Sequence, residues 1–576
     1  MFVLLLILSV FNSIFSNNWL SFWITNKFAG RSSGFYIGLY IMFTFLGVIF
    51  LCFALGALVY GCITAAKTMN LQAANRLMHA PTSYTDTTPM GRILNRFTKD
   101  IDVLDNELPE QIYLFTYNIT KIGGSLILCV IYLPWFAIVL PLCLSLMFFL
   151  SDYYQASARE IKRWEAIQRS VVYSQFNETL TGMGTIKGYG AENRFLVNSS
   201  VAIDKMNEAY LITLANQRWF GMTLCVLTTL LSLLISLLCC FRVFGISAAA
   251  TGLLLSYVLT ITGSLVMMFN AMTKLENEMN SVERVHYYAS RLPQEAPYDI
   301  PERDPDPNWP QFGEISFENV FLKYRPGLPY VLKDLNITVK PGEKIGVCGR
   351  TGAGKSTIML SLYRFIEPEG RILIDGVDIS KIGLRTLRSK LTIIPQDPVL
   401  FSGTIRSNLD PFEQKCDDEL WDALRRAHLI ESNVLNKVKL QTKRDETMHK
   451  FHLNQTVEDD GTNFSLGEKQ SLALARALVR SSRILILDEA TSSVDYKTDE
   501  KIQGTIATEF APCTVFCIAH RLKTIVNYDR ILVMDKGEVV EFDSPWKLFS
   551  NTDGLFRSMC DQSRISSEDF EFNNEK

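Results

Sequence analysis

Over the first 285 residues the apolar positions come in long uncharged runs, whereas further on they come in short blocks broken by charge and by turn residues. A helix needs roughly 20 apolar residues to cross a hydrocarbon layer. Six stretches approach or exceed that length, at about 1–25, 35–66, 112–132, 135–152, 219–241 and 246–272. The third and fourth are parted only by Leu133-Pro134-Trp135, a tight turn. Between the others lie two long segments, 67–111 and 152–218, with charged faces at helical spacing. The spanning helices are therefore expected to continue well beyond the bilayer. These segments carry most of the Lys and Arg of this region, as cytosolic loops do.

After about residue 285 the pattern changes. A proline-rich, acidic stretch over 286–312 reads as a linker. From Gly313 onward, strand-like blocks at 314–324, 331–339 and 344–348 open an alternation of strands and helices to about residue 565, the pattern of an α/β domain with a core parallel sheet. The last residues, 566–576, are acidic and polar and read as a disordered tail.

Composition narrows the choice of function. A net charge of −3 offers no basic footprint for nucleic acid. The 12 cysteines form no Cys-x-x-Cys pair and no metal spacing with His, so they read as free thiols. The opening run lacks the basic lead and the small-residue cleavage site of a secretion signal, so it reads as a membrane span. Lys121 is the one ionisable residue deep in a predicted span, where a charge costs ~2.5–3.5 kcal/mol. It either faces a polar cavity, snorkels, or contacts an anionic cargo.

The candidate chemistry lies in the second half. Gly349-Arg350-Thr351-Gly352-Ala353-Gly354-Lys355-Ser356, followed by Thr357, stands between a strand-like run and a helix-like one. In that setting the backbone N–H groups and the helix dipole cradle phosphate oxygens, Lys355 reaches the β- and γ-phosphates, and the Ser356 hydroxyl ligates Mg²⁺. Ile484-Leu485-Ile486-Leu487-Asp488-Glu489 is an apolar strand ending in two acids. Asp488 is suited to hold Mg²⁺ through water and Glu489 to polarise the attacking water. A nucleotide site belongs in the cytosol, so an even number of spans places the N-terminus there as well.

Three further blocks complete an ordered set: Phe464-Ser465-Leu466-Gly467-Glu468-Lys469-Gln470, then Leu487-Asp488-Glu489-Ala490-Thr491-Ser492-Ser493-Val494-Asp495, then Ile518-Ala519-His520-Arg521. With the phosphate loop, they resemble the motifs of ATP-binding cassette transporters. Leu391-Thr392-Ile393-Ile394-Pro395-Gln396-Asp397 and Thr88-Pro89-Met90-Gly91-Arg92 are similar to the second half of full-length subfamily C, multidrug-resistance-associated members, nearest to the fungal oligomycin-resistance type. The resemblance implies a six-helix exporter-type membrane domain over 1–285 and a nucleotide-binding domain with a helical subdomain over 313–565. It also implies that Tyr324 stacks on adenine, that Gln396 senses the γ-phosphate and Mg²⁺, that Asp495 belongs to a loop near the nucleotide, and that His520 is a switch histidine. Short helices near 84–91 and 182–188 are implied to dock on the cassettes.

One departure stands out. The family's signature consensus is Leu-Ser-Gly-Gly-Gln, where this chain has Phe464-Ser465-Leu466-Gly467-Glu468. Ser465, Gly467 and Glu468 would face ATP held by an opposite cassette. Leu466 adds bulk where glycine allows close approach, and Glu468 adds a negative charge near phosphate. The resemblance therefore implies a slow site at this signature, and a competent site where Lys355, Asp488 and Glu489 meet the consensus signature of a first-half module. Expected cargo is an amphipathic drug or organic anion conjugate, exported across a plasma or vacuolar membrane. An ATP-gated channel, a regulatory subunit and an inactive fragment are the alternatives.

Overall fold

The computed structural model describes residues 1–576 except 29, 242–246, 440, 442–448, 489–495, 520, 568 and 571–576. Two compact units divide the chain: Met1–Met78 with Met90–Leu292, and His79–Pro89 with Pro293–Lys576.

The first unit is helical. Its elements are α1 (Phe2–Ile24), α2 (Ser33–Met78), and, after a short helix α3 (Thr82–Thr87) that belongs to the second unit, α4 (Met90–Asn95). Two π-helical turns, Arg96–Asp100 and Val103–Glu107, lead from α4 into α5 (Leu108–Tyr132). Then come α6 (Phe136–Thr181), the short α7 (Met183–Gly188), α8 (Glu192–Cys240) and α9 (Ala248–Ser290). Among the described residues, six helices are long and apolar enough to cross a membrane. The 46 residues of α2 give about 70 Å at 1.5 Å per residue, more than twice a hydrocarbon core. The expected extension beyond the bilayer is thus built into single helices.

Polar groups inside this bundle are satisfied within the protein, some by a carbonyl one turn earlier, as Asn118 donates to Leu114 and Ser125 to Lys121, and some across helices. Ser9 donates to the Gly47 carbonyl (2.8 Å), the Trp19 indole N–H to the Tyr36 carbonyl (3.0 Å), and Asn17 to the Tyr257 hydroxyl (2.9 Å). In the extensions, buried Asp100 is held by Arg96 (2.8 Å) and by Arg284 Nε (2.9 Å), and buried Glu165 by Lys162 and Thr213 (both 2.9 Å) and by Arg169. Large apolar side chains such as Phe45, Phe53, Phe148 and Met222 are exposed, which suits lipid contact.

The second unit is α/β. Its strands and helices run β1 (Ile315–Leu322), β2 (Leu332–Val339), β3 (Lys344–Gly349), α10 (Lys355–Leu362), β4 (Glu369–Ile374), β5 (Val377–Asp378), α11 (Leu384–Lys390), β6 (Leu391–Ile394) and β7 (Gly403–Thr404). A helical region follows, α12 (Ile405–Leu409), α13 (Asp417–Arg426) and α14 (Leu435–Lys439), then β8 (Thr456–Val457) and α15 (Leu466–Arg480). The chain ends through β9 (Ile484–Asp488), α16 (Tyr496–Glu509), β10 (Thr514–Ile518), α17 (Leu522–Ile525), β11 (Arg530–Asp535), β12 (Glu538–Asp543), α18 (Pro545–Ser550) and α19 (Leu555–Gln562). One sheet has the order β12-β11-β3-β10-β9-β6, parallel except for its β12 edge, and a smaller antiparallel sheet has the order β2-β1-β4-β5. The central strands β3, β9 and β10 are buried nearly throughout, as unbroken apolar runs in a parallel sheet require.

Three expectations about the boundaries meet a different structure. α9 continues to Ser290, inside the stretch read as linker over 286–312. Near that stretch's other end, Trp309 is buried and its indole N–H donates to the Ile374 carbonyl (2.9 Å), so packing on the cassette begins before Gly313. The tail read as disordered from 566 is ordered at its start. Ser566 N–H donates to Asp569 (2.8 Å), and Phe570 is buried against Phe549 with ring centroids 4.6 Å apart. Burying a Phe side chain is worth about 1.5–3 kcal/mol.

Thr514 joins three parts of the cassette. Its buried hydroxyl donates to the Gly313 carbonyl (2.7 Å) and accepts from the Gly342 N–H (3.0 Å). Thr514→Val leaves both groups unpaired, at a cost of about 1–3 kcal/mol. The expected outcome is a fall of several degrees in the cassette's thermal unfolding midpoint, with Thr514→Ser close to the parent.

Candidate nucleotide site

The phosphate loop leaves the end of β3 and turns into α10. A side chain on Gly349 would place its Cβ 2.2 Å from the Met534 carbonyl oxygen, so only glycine fits between β3 and β11. Gly354 caps α10 at φ +97°, in the left-handed region that suits glycine. The loop is closed by Ala353 N–H donating to the Arg350 carbonyl (3.1 Å). Arg350, Thr351 and Gly352 form its exposed tip and Ala353 its buried side. Lys355 folds back over the loop and donates to the Gly349 carbonyl (2.9 Å). Its ammonium is thereby held where phosphates would lie.

Sheet register brings the acid to this loop. Ile518 of β10 is level with Val347 of β3 on one side and with Asp488 of β9 on the other. From β9, Asp488 accepts a hydrogen bond from the Ser356 hydroxyl of α10 (3.1 Å). A hydroxyl and a carboxylate from separate elements thus converge at the start of the helix, a donor set that fits a hard divalent cation. Gln396 lies just past β6, whose Ile394 is level with Leu487, and its backbone carbonyl accepts from Gln470 (3.4 Å). Tyr324 follows β1, and its hydroxyl shares a hydrogen bond with Thr357 (3.1 Å) while the residue stays 37% exposed. The structure therefore gathers Tyr324, the loop 349–357, Gln396 and Asp488 at one edge of the sheet.

The signature segment is built differently. Ser465 caps α15 in a reciprocal box, its hydroxyl accepting from Glu468 N–H (3.3 Å) and its own N–H donating to the Glu468 carboxylate (2.7 Å). Gly467 lies in the first turn of α15. Among the described residues, no hydrogen bond joins Ser465, Gly467 or Glu468 to the phosphate loop. The negative charge at Glu468 is paired within the chain. Lys450 donates to both of its carboxylate oxygens (2.8 Å each) while lying over the Phe464 ring (5.4 Å). Burial pushes the Glu468 carboxyl upward, but the Lys450 ammonium and the Ser465 hydrogen bonds outweigh it and hold the carboxyl below its ordinary value. Lys450 stands 18 positions before Glu468 in the chain, so no local motif announces the pair. Glu489, Asp495 and His520, expected as catalytic base, nucleotide-loop acid and switch histidine, lie outside the described residues.

Comparison with known proteins fits this geometry. Residues 1–271 match the family model of the ABC transporter transmembrane region, and residues 332–492 match that of the ABC transporter domain. The chain belongs to the ATP-binding cassette transporters. It is 57% identical to the oligomycin resistance ATP-dependent permease of Saccharomyces cerevisiae, over 99% of this chain and 39% of that protein. It is 47% identical to the ABC-type transporter cicA of Emericella nidulans over 95% of this chain and 39% of that one, and 38% identical to an ATP-dependent bile acid permease of Saccharomyces cerevisiae over 93% and 33%. The chain thus spans about one third to two-fifths of the length of these relatives. It is a multi-pass membrane protein with an ATP-binding cassette.

Base stacking on an aromatic ring is worth about 1–3 kcal/mol. Tyr324→Ala is therefore expected to weaken binding of a fluorescent ATP analogue by roughly tenfold, with Tyr324→Phe close to the parent. Equal losses in both variants would assign the role to the hydroxyl and its Thr357 bond instead.

Proposed function

We propose that this chain is the second half of an ATP-driven exporter, working with a first-half module that carries a consensus signature and moving amphipathic organic anions out of the cytosol. The observation that carries this reading is the unequal quality of the two nucleotide-facing surfaces. The phosphate loop and Asp488 converge with metal-ligand chemistry, whereas the signature has Leu466 in place of a glycine and Glu468 tied up with Lys450.

In this reading the N–H groups at the start of α10 and Lys355 bind the phosphates, and Tyr324 stacks on adenine. Ser356 and Asp488, with Gln396 at the same sheet edge, would hold Mg²⁺, which when bound offsets phosphate charge. Glu489, which follows Asp488 in the chain, would polarise the attacking water, and the family resemblance gives Asp495 a D-loop role and His520 a switch role. The companion's signature closes over this ATP, and hydrolysis reopens the pair.

The cargo class draws support from a cavity of about 750 Å³ within the membrane unit. Lys162, Arg218 and Lys274 line it together with Tyr154, Phe220 and Phe269. Lys162 is paired with Glu165, while among the described residues no carboxylate lies within 4 Å of Arg218 or Lys274. Cations beside aromatic faces suit a molecule with an apolar body and an anionic group. A plasma or vacuolar membrane is the proposed residence.

ATP hydrolysis in lipid tests the pairing. The chain alone is expected to stay at background. Addition of a first-half module should restore hydrolysis that Glu489→Gln lowers by roughly 10²-fold or more. Glu489-dependent hydrolysis by the chain alone would contradict the proposal.

A further inference from the structure

The chain passes between its two units at three places: after Met78, after Pro89 and after Leu292. The segments next to these crossings, His79–Pro89 and the residues following Pro293, are gathered within the second unit around a single side chain, Arg388 of α11. Its guanidinium forms a two-pronged ion pair with Glu295 (2.7 and 3.0 Å) and donates to the Tyr298 hydroxyl (3.3 Å). It also donates to the carbonyls of Tyr363 and Arg364 (both 3.1 Å) and lies over the Phe365 ring (4.8 Å). Those three residues follow directly on α10, the helix that begins at the phosphate loop.

The other connection reaches the same turn. Thr82 of α3 donates to the Phe365 carbonyl (3.3 Å), Glu295 N–H donates to the His79 carbonyl (2.9 Å), and the His79 and Tyr298 rings meet edge to face at 4.4 Å. Both tethers therefore touch the far end of α10, about 12 Å along its axis from Lys355. The Arg388 and Glu295 side chains are only 19% and 7% exposed, so solvent screens their pairing weakly. A planar fork that holds one carboxylate and two carbonyls at once fixes their relative positions, which a lysine cannot do.

We infer that Arg388 is a positioning residue that couples the nucleotide state of the phosphate loop to both tethers of the membrane unit. Any displacement of α10 on binding ATP is carried through Tyr363–Phe365 and Arg388 to Glu295, and through Phe365 to Thr82. Arg388 touches no phosphate-loop residue, so its loss should spare nucleotide affinity and remove the response of the tethers. The coupling requires neither cargo nor a companion module.

Hydrogen exchange on the full chain in lipid nanodiscs, with and without Mg²⁺ and a fluorescent ATP analogue, tests it. In the parent, nucleotide is expected to change exchange in 79–89 and 293–300 by about threefold or more. Arg388→Gln should bind the analogue within about twofold of the parent yet lose that response. Arg388→Lys, which keeps the charge but cannot hold one carboxylate and two carbonyls at once, should lose at least half of it, as a purely electrostatic role would not. A tether response that persists in Arg388→Gln, or is missing from the parent, would overturn the inference. So would loss of nucleotide binding in Arg388→Gln, which would make Arg388 a support of the cassette itself.

Discussion

The register of three parallel strands is the constraint on which the rest of the cassette depends. Val347 of β3, Ile518 of β10 and Asp488 of β9 stand at one level, so the strand ends open onto one crevice. Close packing on both faces of these strands resists slippage, since a shift of one residue would put side chains of different size into space already filled. The phosphate loop, the Ser356–Asp488 contact and the entry to the segment after Asp488 all follow from that level. Binding chemistry at the C-terminal edge of a parallel sheet is thus a consequence of packing.

The membrane unit meets the opposite constraint, because its surroundings are apolar and its interior must satisfy polar groups. It does so with single hydrogen bonds, within a helix or between helices, in the apolar part, and with ion pairs in the extensions, where Asp100 and Glu165 are each held by two cations. Leaving either carboxylate unpaired would cost several kcal/mol, which makes these pairs strong organisers of the extensions. Lys121 is half-buried in α5, and the cationic side chains of the large cavity come from α6, α8 and α9 instead.

What could be read in the sequence was whatever is encoded locally. The six apolar runs, the loop 349–357 and the strand ending at Asp488 depend on neighbouring residues, and a family resemblance added Tyr324 and Gln396. Contacts between distant residues could not be read. Lys450 neutralises Glu468 across 18 positions, Arg388 reaches Glu295 across 93, and Phe570 finds Phe549 although its own neighbours are acidic. Trp309 behaves alike: a proline-rich stretch reads as linker, yet one indole with a carbonyl partner anchors it to β4. Each of these is a contact between residues distant in the chain, which the local pattern does not encode.

In the proposed exporter, ATP bound at Ser356 is covered by the signature of the first-half module and not by Ser465 of a second copy. Vanadate trapped with Mg²⁺ and ADP in place of the transferred phosphate cleaves the backbone on illumination at the residues that surround it. Applied to the chain assembled in lipid with a first-half module, the account predicts cuts at this chain's phosphate loop and at the companion's signature. Cleavage at Ser465 of a second copy of this chain, with the companion's signature intact, would contradict it.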